Sequence, residues 1–321
     1  MTGVPAYGVV LLNLGAPEDA RRIPEFIRRM LSDPDVMPLP WPMRHVLAGS
    51  IARRRAGAAA QHYGLIGGQS PLAPQTRLQV EALQSTLGPT VLVCHAFRHS
   101  SPFAGDVLSQ MAAQGVRRVV ALPVYPQAAR STRGSAVRDI LRAGLRARVQ
   151  VRVAPSFPEG HGYIEALADL ARPLLSADSH LVVSAHGVPL RSVRKSDPYL
   201  EEVALTEKAL LQRLPPGTRH SLAFQSRVGR MRWTGPSLQD EVARLAGEGV
   251  RAIVVAPISF VCENLETTYE LDIELAAHAR EHGLAFARVP TPGRHPAFIS
   301  ELARLARGVA HEARWEVEDV A

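Results

Sequence analysis

Residues 118–123 read Arg-Val-Val-Ala-Leu-Pro, and the four residues at 119–122 form an unbroken apolar run. A run of this kind, without polar residues alternating in it, is typical of a parallel strand that is covered on both faces. Similar short β-branched runs recur along the chain, and longer helical patterns lie between them. This alternation is typical of βαβ units, so the sequence predicts an α/β protein with mostly parallel sheet.

The predicted strands fall into two sets of four, and the two halves of the chain resemble each other weakly. The first strand of one half ends in Asn13-Leu14-Gly15, and that of the other half ends in Ala185-His186-Gly187. We therefore predict two similar Rossmann-like domains, at residues 1–165 and 166–321, each with a four-stranded parallel sheet flanked by helices. A last helix at 296–313 is expected to pack back on the first domain. The predicted strands are 7–14, 90–96, 118–123, 149–153, 179–185, 220–225, 252–258 and 284–289.

Composition limits the class of protein. The chain has 321 residues, of which 46% are hydrophobic and 21% charged, as in globular proteins. No run approaches the roughly 18 apolar residues of a membrane-spanning helix, and no signal peptide is recognised, so we expect a cytoplasmic protein. Two cysteines, Cys94 and Cys262, argue against a disulfide framework and against a four-thiolate cluster on one chain.

The net charge of +7 comes almost entirely from arginine, since Lys195 and Lys208 are the only lysines. A GC-rich genome would produce the same bias, and an anionic partner would select for it. That partner could be an acidic substrate or a membrane surface. Nucleic acid is disfavoured, because no nucleic-acid motif is present and aromatic residues make up only 5% of the chain.

Ligands of open α/β sheets bind beyond the carboxyl ends of the strands. His186 ends an apolar strand and precedes Gly187, and its imidazole could be a base, a metal ligand or a structural side chain. Glu266, Glu270 and Glu274 follow another strand at a spacing of four and would form one acidic stripe on a helix. Such a stripe is either a solvated face or a path for cations and protons.

Two further segments precede the first long helical pattern of the chain. Residues 63–72 are rich in turn formers but lack the glycine patterns of dinucleotide-binding and P-loop enzymes, which disfavours both classes. Residues 36–43 read Val-Met-Pro-Leu-Pro-Trp-Pro-Met, and an Arg-Arg-Arg cluster follows at 53–55. This stretch is either an apolar lip that faces a membrane or an amphipathic ligand, or a helix packed on the core with exposed arginines.

Seven segments in the same order resemble the ferrochelatase family, over about residues 7–300. Each segment is weakly specific by itself, whereas the ordered set is highly specific. The segments are GVVLLNLGAP at 8–17, FIRRMLSDPDVMPLP at 26–40, YGLIGGQSPL at 63–72, LPVYPQ at 122–127, SAHGVP at 184–189, QSRVGRMRW at 225–233 and FVCENLETTYELDIE at 260–274.

The resemblance implies a chelatase fold, with a porphyrin cleft between two Rossmann-like domains. It implies the insertion of Fe(II) into protoporphyrin IX to form protohaem, with release of two protons. The catalytic residues would be His186 and Glu266, and iron would meet His186, Glu266, Glu270 and Glu274. Iron is then a substrate, and no tightly bound cofactor and no [2Fe–2S] cluster are expected. The porphyrin-contacting positions would be Leu14, Arg55, Tyr63, Ser70, Arg98, Tyr125, Arg227 and Trp233.

Some features depart from the family pattern or leave alternatives open. Asn264 stands where the family commonly has histidine, and Ser196 stands where it often has glycine.

The alternative functions are a coproporphyrin III ferrochelatase, a cobalt or nickel chelatase and a non-catalytic tetrapyrrole carrier. The apolar residues at 36–47 favour protoporphyrin and peripheral contact with an anionic membrane. The protein is expected to be a monomer or a homodimer.

Overall fold

A computed structural model describes residues 5–190, 197–226 and 232–315. These residues form two four-stranded parallel sheets with the orders β2-β1-β3-β4 and β6-β5-β7-β8. The two sheets therefore have the same topology, as the weak repeat in the sequence predicted. The strands are β1 (Tyr7–Asn13), β2 (Val91–Phe97), β3 (Arg118–Pro123), β4 (Gln150–Val153), β5 (Ser179–His186), β6 (His220–Gln225), β7 (Ala252–Pro257) and β8 (Ala285–Arg288).

All eight predicted strands are confirmed, and their ends agree within one residue. The reason is the uniform burial of the central strands. Every residue of β1 is buried, and so is every residue of β5 except His186. Continuous apolar runs are unambiguous in such positions, because helices cover both faces of the sheet.

The helices lie between the strands and around the two sheets. One prediction needs correction, because the helix expected at 163–175 ends as an α-helix at Ala171 and continues as a short 3₁₀ turn that contains Pro173. Proline has no N–H to donate and disrupts an α-helical turn. The α-helices are α1 (Ile23–Leu31), α2 (Trp41–Leu65), α3 (Leu72–Leu87), α4 (Ala104–Ala113), α5 (Ser135–Ala147), α6 (His161–Ala171), α7 (Tyr199–Leu211), α8 (Leu238–Gly247), α9 (Ala276–Glu281) and α10 (Pro296–Glu312).

The chain divides into two compact units. The first comprises Met1–Tyr125, Ala129–Ser156 and Ile299–Ala321, and the second comprises Pro126–Ala128 and Phe157–Phe298. The predicted boundary near residue 165 falls inside α6, whereas the chain leaves the first unit after Ser156. Most of α10 belongs to the first unit, where Arg307 donates a hydrogen bond to the Thr86 carbonyl of α3.

The repeat extends to the turns that follow the strands. In the first unit the Phe97 N–H donates to the Pro102 carbonyl, at 2.8 Å, and in the second the Phe224 N–H donates to the Pro236 carbonyl, at 2.9 Å.

Gly15, after β1, has a φ of +87°, and a Cβ there would lie 2.2 Å from the Ser100 hydroxyl oxygen. Only glycine satisfies both restrictions.

The segment Glu266–Leu275 is a π-helix rather than the predicted α-helix. A π-helix has i→i+5 hydrogen bonds, is rare and occurs frequently at functional sites. It continues directly into α9 and follows β7 by a short loop. The acidic residues at 266, 270 and 274 therefore lie on a wider helix than the sequence predicted.

Candidate active site

His186 is the last residue of β5, and the chain leaves the sheet directly after it. The Gly187 N–H donates to the Gln225 carbonyl at 2.8 Å, and a Cβ on Gly187 would lie 2.5 Å from that oxygen. A larger residue at 187 would push the turn away from β6. The glycine therefore allows the close turn that places His186 at the carboxyl end of the sheet.

The imidazole of His186 is partly buried and packs against an aromatic side chain. Its ring meets the Phe260 ring edge to face, with 5.9 Å between the centroids. Its Nδ1 atom is buried and has no hydrogen-bond partner among the described residues. Burial lowers the pKa of His186 to about 4, so the ring is neutral near pH 7. A neutral imidazole can accept a proton or bind a metal ion.

Two carboxylates of the π-helix have pKa values above the ordinary range. Burial raises the pKa of Glu266. Burial also raises the pKa of Glu270 to about 7, and the charges of Glu266 and Glu274 add to this effect. The Ser226 hydroxyl opposes it by donating a hydrogen bond to Glu270 Oε2, at 2.5 Å. Glu274 is exposed. The charges of these three carboxylates therefore influence one another.

The neighbouring acidic residues behave differently because they are paired. Arg288 donates to Glu263 at 3.0 Å and to Asp272 at 2.6 and 2.8 Å. Burial alone would raise the pKa of Glu263, but the Arg288 guanidinium and hydrogen bonds from two threonines lower it. Glu263 therefore stays ionised in a structural ion pair, whereas Glu266 and Glu270 are available for proton transfer.

Asn264, which replaces a common histidine of the family pattern, has a structural role at the start of the π-helix. Its Oδ1 accepts from the Thr267 N–H at 2.9 Å, and its own N–H donates to the Thr267 hydroxyl at 3.0 Å. This reciprocal pair satisfies backbone donors that would otherwise be unpaired at a helix start. Asn264 is buried and its side-chain oxygen is already occupied.

The four residues predicted to meet iron do not form a closed metal site. Among the described residues, no group of three or more His, Cys, Asp and Glu side chains is arranged to hold a metal ion.

The predicted porphyrin-contacting residues of the first unit lie in different environments. Arg55 is exposed on α2, whereas Tyr63 and Ser70 are buried. Leu14 and Tyr125 are partly buried. The Tyr125 hydroxyl has no hydrogen-bond partner among the described residues, and burial raises its pKa. This phenol is an unused donor that follows β3.

Arg98 is engaged within the first unit. Its guanidinium lies 2.7 Å from the carboxylate of Asp33, which is buried, and its Nε donates to the Ser135 hydroxyl at 2.7 Å. The side chain is one quarter exposed. Arg98 was predicted only as a contact for the porphyrin, and the structure adds a buried carboxylate partner that the sequence did not indicate.

The two predicted porphyrin contacts of the second unit follow β6. Arg227 lies outside the described residues. Trp233 forms an isolated antiparallel bridge with Pro189, and its ring lies 3.6 Å from the position that a Cβ on Gly187 would occupy. Trp233 is therefore next to the turn that follows His186.

The first half of α2 exposes an apolar surface, which we call the lip: Trp41, Met43, Val46 and Leu47. The exposed fractions of these side chains are 67%, 60%, 75% and 42%. The buried face of the helix contains Arg44, Ala48 and Ala52. The sequence left two interpretations open for this stretch, and the structure combines them, since one face packs and the other presents apolar side chains. No helix of the described residues is long and apolar enough to cross a membrane.

Three residues that contact the site were not predicted as site residues. Ser259 and Tyr199 hydrogen bond to the backbone of His186, and Asp33 binds Arg98. Asp33 lies within the quoted family segment at 26–40, which was the available signal, whereas Tyr199 lies ten residues beyond the segment at 184–189. Ser259 had none beyond its place after β7.

Solved structures with the same fold define the class of this protein. The sirohydrochlorin chelatase SirB from Bacillus subtilis, in complex with cobalt, is 14% identical, with a TM-score of 0.53 over 76% of this chain and 91% of that one. DR2241 from Deinococcus radiodurans, described as similar in structure to chelatases, is 18% identical, with a TM-score of 0.50 over 95% of this chain and 55% of that one. The fold is therefore that of the chelatases.

Sequence comparison identifies the family within this class. The Ferrochelatase family model matches residues 6–309. The ferrochelatase of Synechococcus elongatus is 37% identical, covering 98% of this chain and 85% of the relative. That of Aquifex aeolicus is 36% identical, covering 94% and 98%, and that of Phenylobacterium zucineum is 38% identical, covering 94% and 90%. The chain belongs to the ferrochelatase family.

Proposed function

We propose that this protein is a metal-insertion lyase that places Fe(II) in a porphyrin, a late step of haem synthesis, with His186 and Glu266 as its catalytic residues. One observation supports this most directly. A partly buried neutral imidazole ends β5, one of its ring nitrogens has no hydrogen-bond partner among the described residues, and the same unit contains interacting carboxylates with raised pKa values. Structural carboxylates would be paired, as Glu263 is with Arg288.

The reaction has to remove two protons from the pyrrole nitrogens. His186 is neutral near pH 7 and can accept a proton at whichever ring nitrogen carries none. Burial makes the imidazolium unfavourable, so the proton has to be passed on rather than stored. Glu270, with a pKa of about 7, exchanges protons readily at physiological pH, and the exposed Glu274 gives access to water. Glu266, Glu270 and Glu274 would therefore form a path from two partly buried carboxylates to an exposed one.

Iron is the second substrate and has to be bound weakly. Imidazole and carboxylate oxygen both suit Fe(II), but a complete ligand set would retain the ion. A cation near Glu266 and Glu270 would relieve their mutual repulsion and lower their pKa values. The same residues can therefore lose protons as the metal enters. We propose no tightly bound cofactor and no [2Fe–2S] cluster, because two cysteines cannot supply the four ligands of a typical cluster.

The preferred porphyrin is proposed to be protoporphyrin IX. Coproporphyrin III has four propionates where protoporphyrin has two, and burying each additional carboxylate without a partner would cost several kcal/mol. The exposed apolar lip would desolvate such groups without pairing them. Porphyrin contacts are proposed at Leu14, Arg55, Tyr63, Ser70, Arg98, Tyr125, Arg227 and Trp233. We propose a cytoplasmic protein whose lip contacts anionic membranes.

The test is anaerobic Fe(II) insertion, followed by absorbance, with protoporphyrin IX and coproporphyrin III side by side. We expect activity with both and a higher kcat/KM for protoporphyrin. His186→Ala should abolish insertion and retain porphyrin binding, whereas His311→Ala, an exposed histidine of α10, should behave as wild type. Porphyrin binding by the wild type without insertion would indicate a carrier, and a preference for coproporphyrin III would contradict the argument from the lip.

A further inference from the structure

We propose that Tyr199 and Ser259 are positioning residues that fix the backbone of His186 through a closed ring of hydrogen bonds. The inference rests on the proposed function, because it gives His186 a reason to be held so closely. The two residues come from different elements. Tyr199 is the first residue of α7, and Ser259 lies just beyond β7, 73 residues from His186 in the sequence.

The ring consists of three hydrogen bonds. The Tyr199 hydroxyl lies 2.6 Å from the His186 carbonyl oxygen. The His186 N–H donates to the Ser259 hydroxyl oxygen at 3.2 Å. The two hydroxyl oxygens are 3.2 Å apart. All three residues belong to the second unit.

The donor and the acceptor of each hydrogen bond follow from the number of hydrogens that each group carries. A carbonyl can only accept, so the single hydrogen of the Tyr199 hydroxyl is donated to the His186 carbonyl. The Ser259 hydroxyl then donates its hydrogen to the Tyr199 oxygen, and it accepts from the His186 N–H. Each hydroxyl donates once and accepts once, and both polar groups of the His186 backbone are used.

Burial makes this arrangement rigid. Tyr199 is 5% exposed, and burial raises the pKa of its phenol, so that the hydroxyl remains protonated and a donor. The loss of one hydroxyl leaves the other members of the ring with unpaired polar groups, which is costly in a buried position. On the side of β7, the sheet pairs with β5 only as far as Ser184, so that neighbouring strand does not restrain His186. The ring replaces that restraint where the imidazole needs an exact position.

The ring predicts a specific pattern among variants. Tyr199→Phe and Ser259→Ala each remove two of the three hydrogen bonds, and the double variant removes all three. Misplacement of a reacting group by about 1 Å can cost on the order of 100-fold in rate, so we expect kcat to fall roughly 10- to 100-fold in each single variant. The double variant should be only slightly slower than the slower single one, because both changes break the same ring.

A purely structural role would give a different result. It would lower the melting temperature, leave kcat of the folded protein unchanged and make the two changes independent. Tyr163→Phe is the matched control, because Tyr163 is a fully buried tyrosine of the same unit whose hydroxyl donates to the Ile258 carbonyl and does not contact His186. It should lower the melting temperature and leave kcat unchanged. Ser259→Thr keeps the hydroxyl at a partly exposed position and should restore kcat.

The experiment measures kcat, the KM for protoporphyrin IX and the melting temperature of each variant, with His186→Ala in parallel. We expect a lower kcat with nearly unchanged KM in Tyr199→Phe and Ser259→Ala. Wild-type kcat in both, with His186→Ala inactive, would overturn the inference alone. Wild-type kcat in His186→Ala would overturn the proposed function itself. Should Tyr199→Phe not fold, the comparison of Ser259→Ala with Ser259→Thr decides, and equal kcat values in that pair would contradict the ring.

Discussion

The carboxylate of Asp33 binds the guanidinium of Arg98 at 2.7 Å, and the side chain of Asp33 is almost completely buried. The Ser135 hydroxyl lies between them, since it donates to Asp33 and accepts from Arg98 Nε. Arg98 therefore cannot rotate freely towards a ligand. Its position is fixed by a buried carboxylate before any anionic group of a substrate arrives.

Asp33→Asn should destabilise the protein substantially through this pair. Among the described residues, Arg98 would keep only Asp139, at 4.0 Å, as a carboxylate partner, but one quarter of its side chain is exposed to water, so we expect a loss of about 2 kcal/mol in the free energy of unfolding. Urea denaturation measures it. Glu25→Gln, which removes a carboxylate from the exposed pairs with Arg22 and Arg29 in the same unit, should have little effect. Equal stability of the two variants would show that Asp33 does not hold Arg98.

Replacement of the π-helical glutamates should lower turnover in the order of their burial. Glu266→Gln should reduce kcat by about 100-fold, as for a lost general acid or base. Glu270→Gln should have a smaller effect, and Glu274→Gln the smallest, because water can replace an exposed carboxylate. Steady-state kinetics with Fe(II) and protoporphyrin IX measures the series, with the exposed Glu281→Gln of α9 as control. Equal, small effects at all positions would indicate a solvated acidic face.

The raised pKa of Glu270 predicts how stability changes with pH. The ordinary value is 4.5 and the value in the folded protein is about 7, so the folded state binds the proton more tightly. The contribution of Glu270 to stability is therefore fully present below pH 4.5 and is lost as the pH rises towards 7. Glu270→Gln removes this loss, while its amide oxygen can still accept from Ser226.

We therefore expect Glu270→Gln to be more stable than the wild type above pH 7, by about 3 kcal/mol, which is the shift from 4.5 to about 7 at 1.36 kcal/mol per pKa unit. The difference should disappear near pH 4.5. Urea denaturation of both proteins across this range measures it, and titrating groups that do not interact with Glu270 cancel in the comparison. A difference that does not depend on pH would mean that Glu270 is not desolvated in the folded protein.

The lip should bind anionic vesicles in a salt-sensitive manner. Apolar side chains insert into the interface, and each nearby arginine contributes about 1 kcal/mol of attraction to anionic headgroups. Val46→Glu adds a negative charge at a side chain that is 75% exposed and should reduce co-sedimentation with phosphatidylglycerol vesicles. Leu145→Glu, at an 82% exposed leucine of α5, is the matched control. Equal losses in the two variants would show that the lip is not the contact surface.

The strands and the place of His186 followed from the sequence alone. A buried parallel strand needs a continuous apolar run, and this requirement is local, so the ends of all eight strands were predicted within one residue. Strand ends in turn indicate the edge of the sheet at which ligands bind. His186 was recognisable because it ends such a run directly before a glycine.

The roles of individual polar residues depended on partners that are distant in the sequence. Glu263 and Glu266 are only three positions apart, yet Arg288, 25 residues beyond Glu263, pairs with the first and not with the second. Ser226 reaches Glu270 across 44 residues, and Ser259 reaches His186 across 73. Such pairings follow from how strands and helices pack, so the sequence determined which side chains are present at the site. Only the tertiary structure decided which are neutralised, which are held in place and which remain free to exchange protons, because protonation depends on burial and neighbouring charge.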